Sequence, residues 1–156
     1  MTTPVKDVMT TNLVVFKEDT PVDDVATTLA RRHLTGAPVV TEDGRVVGVV
    51  SELDVFSKDG RVARDIMSTG VISISEDTPI DDAAALFAGQ RIRRLPVLRA
   101  GRLVGLLSRS DVLDFFVQSR WVCLDCGHAV HGLRPPRSCR DCSGSRFSLE
   151  RAQPST

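Results

Sequence analysis

Apolar and polar positions along the chain switch between two periods, and the whole sequence of switches occurs twice. Runs rich in β-branched residues, Leu13-Val14-Val15-Phe16 and Val71-Ile72-Ser73-Ile74, predict short strands. The apolar spacing then changes to three and four. Val22, Val25, Ala26, Leu29 and Ala30 form one helical stripe, and Ile80, Ala83, Ala84, Phe87 and Ala88 form its counterpart. Strands are predicted next at Pro38 to Val40 and Val46 to Val50, and again at Pro96 to Leu98 and Leu103 to Leu107. A tight turn ending in Gly44 or Gly101 joins each pair, and Asp43-Gly44 is a hairpin signal.

Polar residues punctuate this pattern. Thr20-Pro21 and Thr78-Pro79 predict helix starts, with threonine as N-cap, proline as the first helical residue and aspartates in the first turn, where the helix dipole favours negative charge. Ser51-Glu52-Leu53-Asp54 and Ser108-Arg109-Ser110-Asp111 predict capping boxes that open short second helices. The order per copy is strand, helix, strand, strand, helix. Asp7-Val8-Met9-Thr10 matches Asp65-Ile66-Met67-Ser68, and Gly44 to Ser51 matches Gly101 to Ser108. The repeat of about 58 residues is longer than most solenoid units, and two copies fit a pseudo-symmetric pair closing on itself. Residues 1 to 4 predict a disordered lead. Lys58-Asp59-Gly60-Arg61 and Gln118-Ser119-Arg120 are polar joints, so the expected division is 1–60, 61–118 and 119–156.

Composition changes this picture little. A chain of 156 residues with 42% hydrophobic content has room for one ordinary core and a small appendage. Lys+Arg and Asp+Glu number 20 each, so no overall charge draws the chain to nucleic acid or an anionic membrane. No apolar run approaches the roughly 20 residues of a bilayer span, and the first residues lack a signal-peptide pattern. The expectation is a soluble, cytoplasmic protein.

The doubled order, closed in each copy by Gly-x-x-Ser-x-x-Asp at Gly48-Val49-Val50-Ser51-Glu52-Leu53-Asp54 and Gly105-Leu106-Leu107-Ser108-Arg109-Ser110-Asp111, resembles a tandem pair of CBS (cystathionine beta-synthase) domains over about residues 5 to 117. The resemblance implies an α/β (α+β) fold of two β-α-β-β-α repeats with clefts between them. It implies regulation without catalysis, through an adenosine-type ligand: AMP, ADP, ATP or S-adenosylmethionine. It places the adenine against Asn12, Leu13, Val14, Leu34, Thr35 and Gly36, with Arg93 and Arg94 where family members often carry phosphate contacts. Gly36 leaves room for a flat ring to approach the backbone. Ser108, at a strand-to-helix junction, can face an anion with its hydroxyl and the free N–H groups of the helix, and Asp111 can accept both ribose hydroxyls. The second cleft would use Ser51 and Asp54 with Gly70, Val71 and Ile72. There Arg94 replaces Gly36 and Glu52 replaces Arg109, so one good site and one weak or empty site are expected. The four serines and aspartates also read as plain helix caps, Arg93 and Arg94 as a solvated face, Gly36 as a helix C-cap and His33 as a surface residue beside the helix end. The Ala-rich helical stripes read as core; in the family such faces often pair two chains, so a homodimer is expected.

The sharpest chemical signal is Cys123-x-x-Cys126, twelve residues, then Cys139-x-x-Cys142. Two such knuckles can set four thiolates around one metal, with sulfur–metal distances of about 2.3 Å. A segment of roughly 35 residues cannot build an adequate apolar core, so metal must supply much of its folding free energy. Disulfides are the competing use, disfavoured in a chain without an export signal. The knuckles resemble a zinc ribbon and equally a rubredoxin, so zinc and iron both remain open. His128 and His131 read as surface residues. Rubredoxin-like electron transfer would want an apolar skin, whereas this loop carries His128, His131, Arg134, Arg137 and Arg140. Nucleic-acid binding by the basic tail is the other rival, with one Trp and one Phe available for stacking. The sequence therefore points to a regulatory sensor with an unknown protein partner, a structural metal ribbon and no catalytic constellation.

Overall fold

The computed structural model describes residues 2 to 151; the first residue of the expected lead and the last five of the C-terminal segment lie outside it. After a single 3-10 turn at Val5–Asp7 come β1 (Phe16–Lys17), α1 (Val22–Arg32), β2 (Gly36–Val40), β3 (Val46–Ser51), α2 (Glu52–Ser57) and α3 (Ala63–Ile66). The second copy supplies β4 (Ile74–Ser75), α4 (Ile80–Gly89), β5 (Arg94–Arg99), β6 (Arg102–Ser108) and α5 (Arg109–Gln118). The tail adds β7 (Ser119–Cys123), β8 (Ala129–Val130) and β9 (Phe147–Arg151). Three small sheets result, in the orders β1-β2-β3, β4-β5-β6 and β8-β7-β9. The mixed α/β class expected from the doubled pattern is the class observed. Among the described residues no helix is long and apolar enough to cross a membrane.

Two compact units organise these elements. In the unit of residues 11–75 and 96–106, β1 runs parallel to β2, with Phe16 opposite Val39, and β2 and β3 form an antiparallel hairpin. Phe16, Val25, Leu29, Ala37, Val39, Val50, Ala63 and Ile66 form its core, and Val14, Leu34 and Met67 pack against it. The inner face of α1 is thus Val25 and Leu29, as its apolar spacing requires, while Ala30 of the same stripe is exposed.

In the unit of residues 1–10, 76–95 and 107–156, α4 packs on α5 and α5 on β7. Val5, Ile80, Leu95, Leu107 and Phe115 are buried there. The N-terminal lead departs from expectation. The Thr3 carbonyl accepts the Ile80 N–H at 2.8 Å, and Pro4 bridges Pro79. The otherwise open N-terminal end of α4 gives residues 3 and 4 their fixed place.

Other differences have equally local causes. The first strand of each copy covers only Phe16–Lys17 and Ile74–Ser75, because only two residues of each find partners, at Val39 and Val40 and at Val97 and Leu98. Pro21 and Pro79, not the threonines, are the N-caps of α1 and α4, both with extended ψ near 142°. Thr20 instead accepts the Lys17 N–H at 3.0 Å. The left-handed C-cap of α1 is His33, at φ 55°, and Gly36 opens β2. α3 was not expected: its aspartate, Asp65, accepts the Arg61 and Val62 N–H groups at 2.9 and 3.2 Å.

Gly48 of β3 lies against the segment after α3. A Cβ at Gly48 would stand 2.6 Å from the Met67 sulfur and 2.9 Å from the Ser68 carbonyl oxygen. Ser68 cannot retreat freely, since it exchanges two backbone hydrogen bonds with Val49, at 2.9 and 3.0 Å. Gly48→Ala should therefore lower stability by about 1–3 kcal/mol. Urea denaturation measures this as a reduced midpoint at unchanged slope.

Candidate functional site

Two sets of residues carry candidate chemistry, and the ligand-binding set is built on the capping boxes. Ser51 ends β3 in extended conformation and its hydroxyl accepts the Asp54 N–H at 3.2 Å. Asp54 Oδ2 accepts from both the Ser51 N–H at 2.8 Å and the Ser51 hydroxyl at 3.0 Å. Its other oxygen, Oδ1, is held by Lys58 at 2.9 Å, one helical turn on. Burial works against ionisation of Asp54, but Lys58 and the Ser51 donors outweigh it and hold the carboxyl below its ordinary range.

Nearby in the same unit, Gly36 is paired with Ser51, and the Thr35 carbonyl accepts the Glu52 N–H at 2.9 Å. The Leu34–Gly36 turn therefore borders the start of α2. A Cβ on Gly36 would stand 2.9 Å from the Val50 carbonyl oxygen, so the strand requires glycine there for its own packing. Asn12 is exposed, while Leu13 and Val14 are half-buried.

The other unit holds the second capping box. Ser108 accepts the Asp111 N–H at 3.2 Å and Asp111 Oδ2 accepts the Ser108 N–H at 2.9 Å. Here the copies part. The position answering to Lys58 is Phe115, and among the described residues nothing hydrogen-bonds or pairs with Asp111 Oδ1. Asp111 is half-buried with one oxygen to spare, whereas both oxygens of Asp54 are committed. The sequence carries the signal for this difference in the residue four places after each aspartate. Arg93 lines a hollow of about 580 Å³ together with Arg91, Arg109 and Phe87. Arg94 begins β5, is half-buried and has an interaction of its own.

Asp54 also gives a pH-dependent expectation. Its folded-state pKa lies below the unfolded value of about 3.9, so its contribution is complete above that pH and is lost as pH falls through the folded value. Asp54→Ala should cost roughly 1–2 kcal/mol near neutral pH. The gap between wild type and variant should close below about pH 4 when urea midpoints are followed with pH.

The second set is the four cysteines. β7 leads into the first knuckle, where the Gly127 N–H returns to the Cys123 carbonyl at 2.9 Å and Gly127 takes φ 81°. The second repeats the bond, Ser143 N–H to the Cys139 carbonyl at 2.8 Å, with Ser143 left-handed at φ 64°. Backbone N–H groups of Asp141 and Gly144 point at the sulfurs of Cys139 and Cys142, each at 3.4 Å. All four sulfurs lie within 4.8 Å of one another, with Cys123 to Cys142 and Cys126 to Cys139 both at 3.6 Å. Tetrahedral bonding to zinc at about 2.3 Å puts thiolates roughly 3.8 Å apart, so the donor set fits a metal ion.

The thiols also polarise one another. The Cys126 N–H, with further donors, lowers Cys123 to about 7. Although the His128 N–H favours its thiolate, Cys126 is pushed up to about 12, chiefly by its hydrogen bonding with Cys142. Four thiols this close cannot all ionise without a cation among them.

The two histidines expected at the surface have structural partners. His128 Nδ1 meets Asp141 at 3.0 Å. His131 Nδ1 lies 3.0 and 2.8 Å from the Phe116 and Ser119 carbonyls, where it closes the C-terminal end of α5, and its ring packs on Phe116.

A doubled β-α-β-β-α chain whose second helices open on Ser-x-x-Asp boxes defines a tandem module of two like repeats. The chain belongs to the CBS domain family, whose pattern matches residues 5–60 and 63–118. It is similar to CBSX2, a chloroplastic CBS domain-containing protein of Arabidopsis thaliana, with 31% identity over 142 residues covering 69% of this chain and 60% of CBSX2. The crystal structure of CBSX2 in complex with AMP superposes with TM-score 0.70 and 35% identity, over 74% of this chain and 96% of that one. The CBS domain pair of MJ0100, in complex with 5'-methylthioadenosine and S-adenosyl-L-methionine, gives TM-score 0.67 and 25% identity over 75% and 98%. An inosine-5'-monophosphate dehydrogenase of Thermoplasma acidophilum is 34% identical over 104 residues, which are 65% of this chain but 21% of that enzyme. The chain thus spans less than two thirds of the length of several curated relatives it matches.

Proposed function

We propose that this protein is a regulatory sensor in which the CBS pair binds one adenosine-type ligand and a zinc ion holds a C-terminal ribbon. The division at residues 60 and 118 belongs to this reading. The observation that carries it is the unequal state of the two repeat aspartates: Asp111 keeps a carboxylate oxygen for ribose hydroxyls, while Lys58 and Ser51 consume both oxygens of Asp54. Ser108 then serves the ligand as well as the cap, and Arg93 with Arg109 supplies guanidinium groups suited to phosphate. Asn12, Leu13, Val14, Leu34, Thr35 and Gly36 form the adenine side, with Arg94 an auxiliary contact. The AMP bound by CBSX2 and the S-adenosylmethionine and methylthioadenosine bound by MJ0100 support an adenosine ligand here. Ser51 and Asp54 form the weak or empty cleft. Ligand binding biases the packing of the repeats and thereby a partner's affinity, in a homodimeric cytoplasmic protein.

Cys123, Cys126, Cys139 and Cys142 hold the zinc, which supplies a structural cross-link. The nucleic-acid reading loses ground on two counts. Of the six tail arginines, Arg120 pairs with Glu150, Arg146 with Asp125 and Arg134 with Asp81, and Arg151 lies over the Phe115 ring. The tryptophan that stacking would need is buried.

A melting experiment tests the sensor reading. At a ligand concentration about a hundredfold above Kd, linkage adds about 2.7 kcal/mol, which raises Tm by roughly 5–10 °C in a chain of this size. AMP, ADP, ATP or S-adenosylmethionine should give such a shift; a flat response to all of them would contradict it.

A further inference from the structure

Each repeat carries a hollow of its own, where α1 ends and α2 begins in the first and where α4 ends and α5 begins in the second. The two differ in charge. In the first repeat the hollow measures about 510 Å³, and Leu29, Ala30, His33, Thr35 and Glu52 are among its lining residues. In the second it measures about 580 Å³, and the corresponding positions hold Phe87, Ala88, Arg91, Arg93 and Arg109. Three guanidinium groups thus stand where the first repeat has an imidazole, a hydroxyl and a carboxylate. The fold forms the hollow without arginine, so packing does not require them.

Among the described residues no acidic side chain lines the second hollow, and none of Arg91, Arg93 and Arg109 has a hydrogen bond or ion pair. Three like charges around one space repel one another, and an anion among them reverses the sign of the interaction. A single phosphate monoester carries about two negative charges near neutral pH, fewer than the three guanidinium groups supply. A chain of two or three phosphates matches the set, since each planar fork takes phosphate oxygens two at a time. Arg109 and Asp111 share the first turn of α5, so a ribose held at Asp111 brings its phosphates to the arginines.

We propose that the adenosine site selects a nucleoside di- or triphosphate, with Arg91 joining Arg93 and Arg109 to hold the outer phosphates. This rests on the adenosine reading of Asp111 and adds the phosphate number to it. Adenosine, AMP, ADP, ATP and S-adenosylmethionine are titrated calorimetrically into the full, metal-replete chain in magnesium-free buffer of low ionic strength, where screening is least. ATP should bind roughly tenfold or more tightly than AMP, the ordinary gain for an added hydrogen bond to a charged group. Adenosine and S-adenosylmethionine, whose sulfonium is positive, should bind more weakly than AMP. The preference for ATP should shrink as salt is raised, and Arg91→Ala should cut the ratio of ATP to AMP affinity roughly tenfold. Arg91→Lys, which keeps the charge and loses the fork, should fall between, and Arg137→Ala on the ribbon should keep the wild-type ratio. Equal affinities for AMP and ATP, or an unchanged ratio in Arg91→Ala, would overturn the proposal and leave the adenosine site standing. Absence of binding by every adenosine compound would remove both.

Discussion

Replacing Cys139 by serine, or stripping the protein with a strong chelator, is expected to unfold residues 119–151 while leaving the repeats folded. Few apolar side chains in that segment are buried. Among the described residues of the ribbon, the buried apolar side chains are Trp121, Cys123 and Cys139, and two of these three are proposed ligands. Backbone bonds remain, from β7 to β8 and β9, but a three-stranded sheet without a packed face has little independent stability. Structural zinc contributes on the order of 10–16 kcal/mol in small metal-dependent folds, far more than such a segment can otherwise muster. Trp121 is the one tryptophan of the chain and is buried, with its indole N–H on the Gly132 carbonyl at 3.1 Å, so its emission reports on the ribbon alone. Cys139→Ser should shift that emission to the red and reduce bound zinc from about one per chain to a small fraction. Emission unchanged in metal-free protein would show that the ribbon does not depend on the metal.

The second large effect is expected at Asp111. Asp111→Ala should weaken AMP binding by roughly ten- to a hundredfold, the loss of one or two hydrogen bonds from hydroxyls to a charged acceptor. The same change at Asp54 should leave AMP affinity within about threefold, because both oxygens of Asp54 serve Ser51 and Lys58. Both variants lose a capping box, so the comparison holds the structural cost nearly equal and isolates the ligand. Lys58→Ala sharpens the contrast. Freed of its lysine, Asp54 regains an open oxygen, and any latent second site becomes measurable.

The doubled pattern, the hairpin glycines, both capping boxes and the cysteine knuckles could all be read from residue types, because each is a local device whose partners lie within a few positions. Gly127 after Cys126 is one case, at φ 81° as the knuckle demands. Features that depend on distant partners could not be read in this way. Leu13 to Val15 have strand propensity but no strand, since propensity describes a residue suited to a pleated surface and pairing needs a neighbour. Residues 3 and 4 gain structure from α4, more than seventy positions away. Thr20 lost its expected cap role to a bond with Lys17, and His33 took the left-handed position that glycine would ordinarily fill. Lys58 reads in the sequence as part of a polar joint, and its 2.9 Å contact with Asp54 gives it a role in distinguishing the two repeats.

Calorimetric titration of AMP into the intact, metal-replete protein tests the central claim most directly. A single saturable isotherm near one AMP per chain, lost in Asp111→Ala and kept in Asp54→Ala, is the predicted result. Equal loss in both variants, or no heat of binding with AMP, ATP and S-adenosylmethionine in turn, would contradict the assignment of Asp111 as the ribose-binding carboxylate.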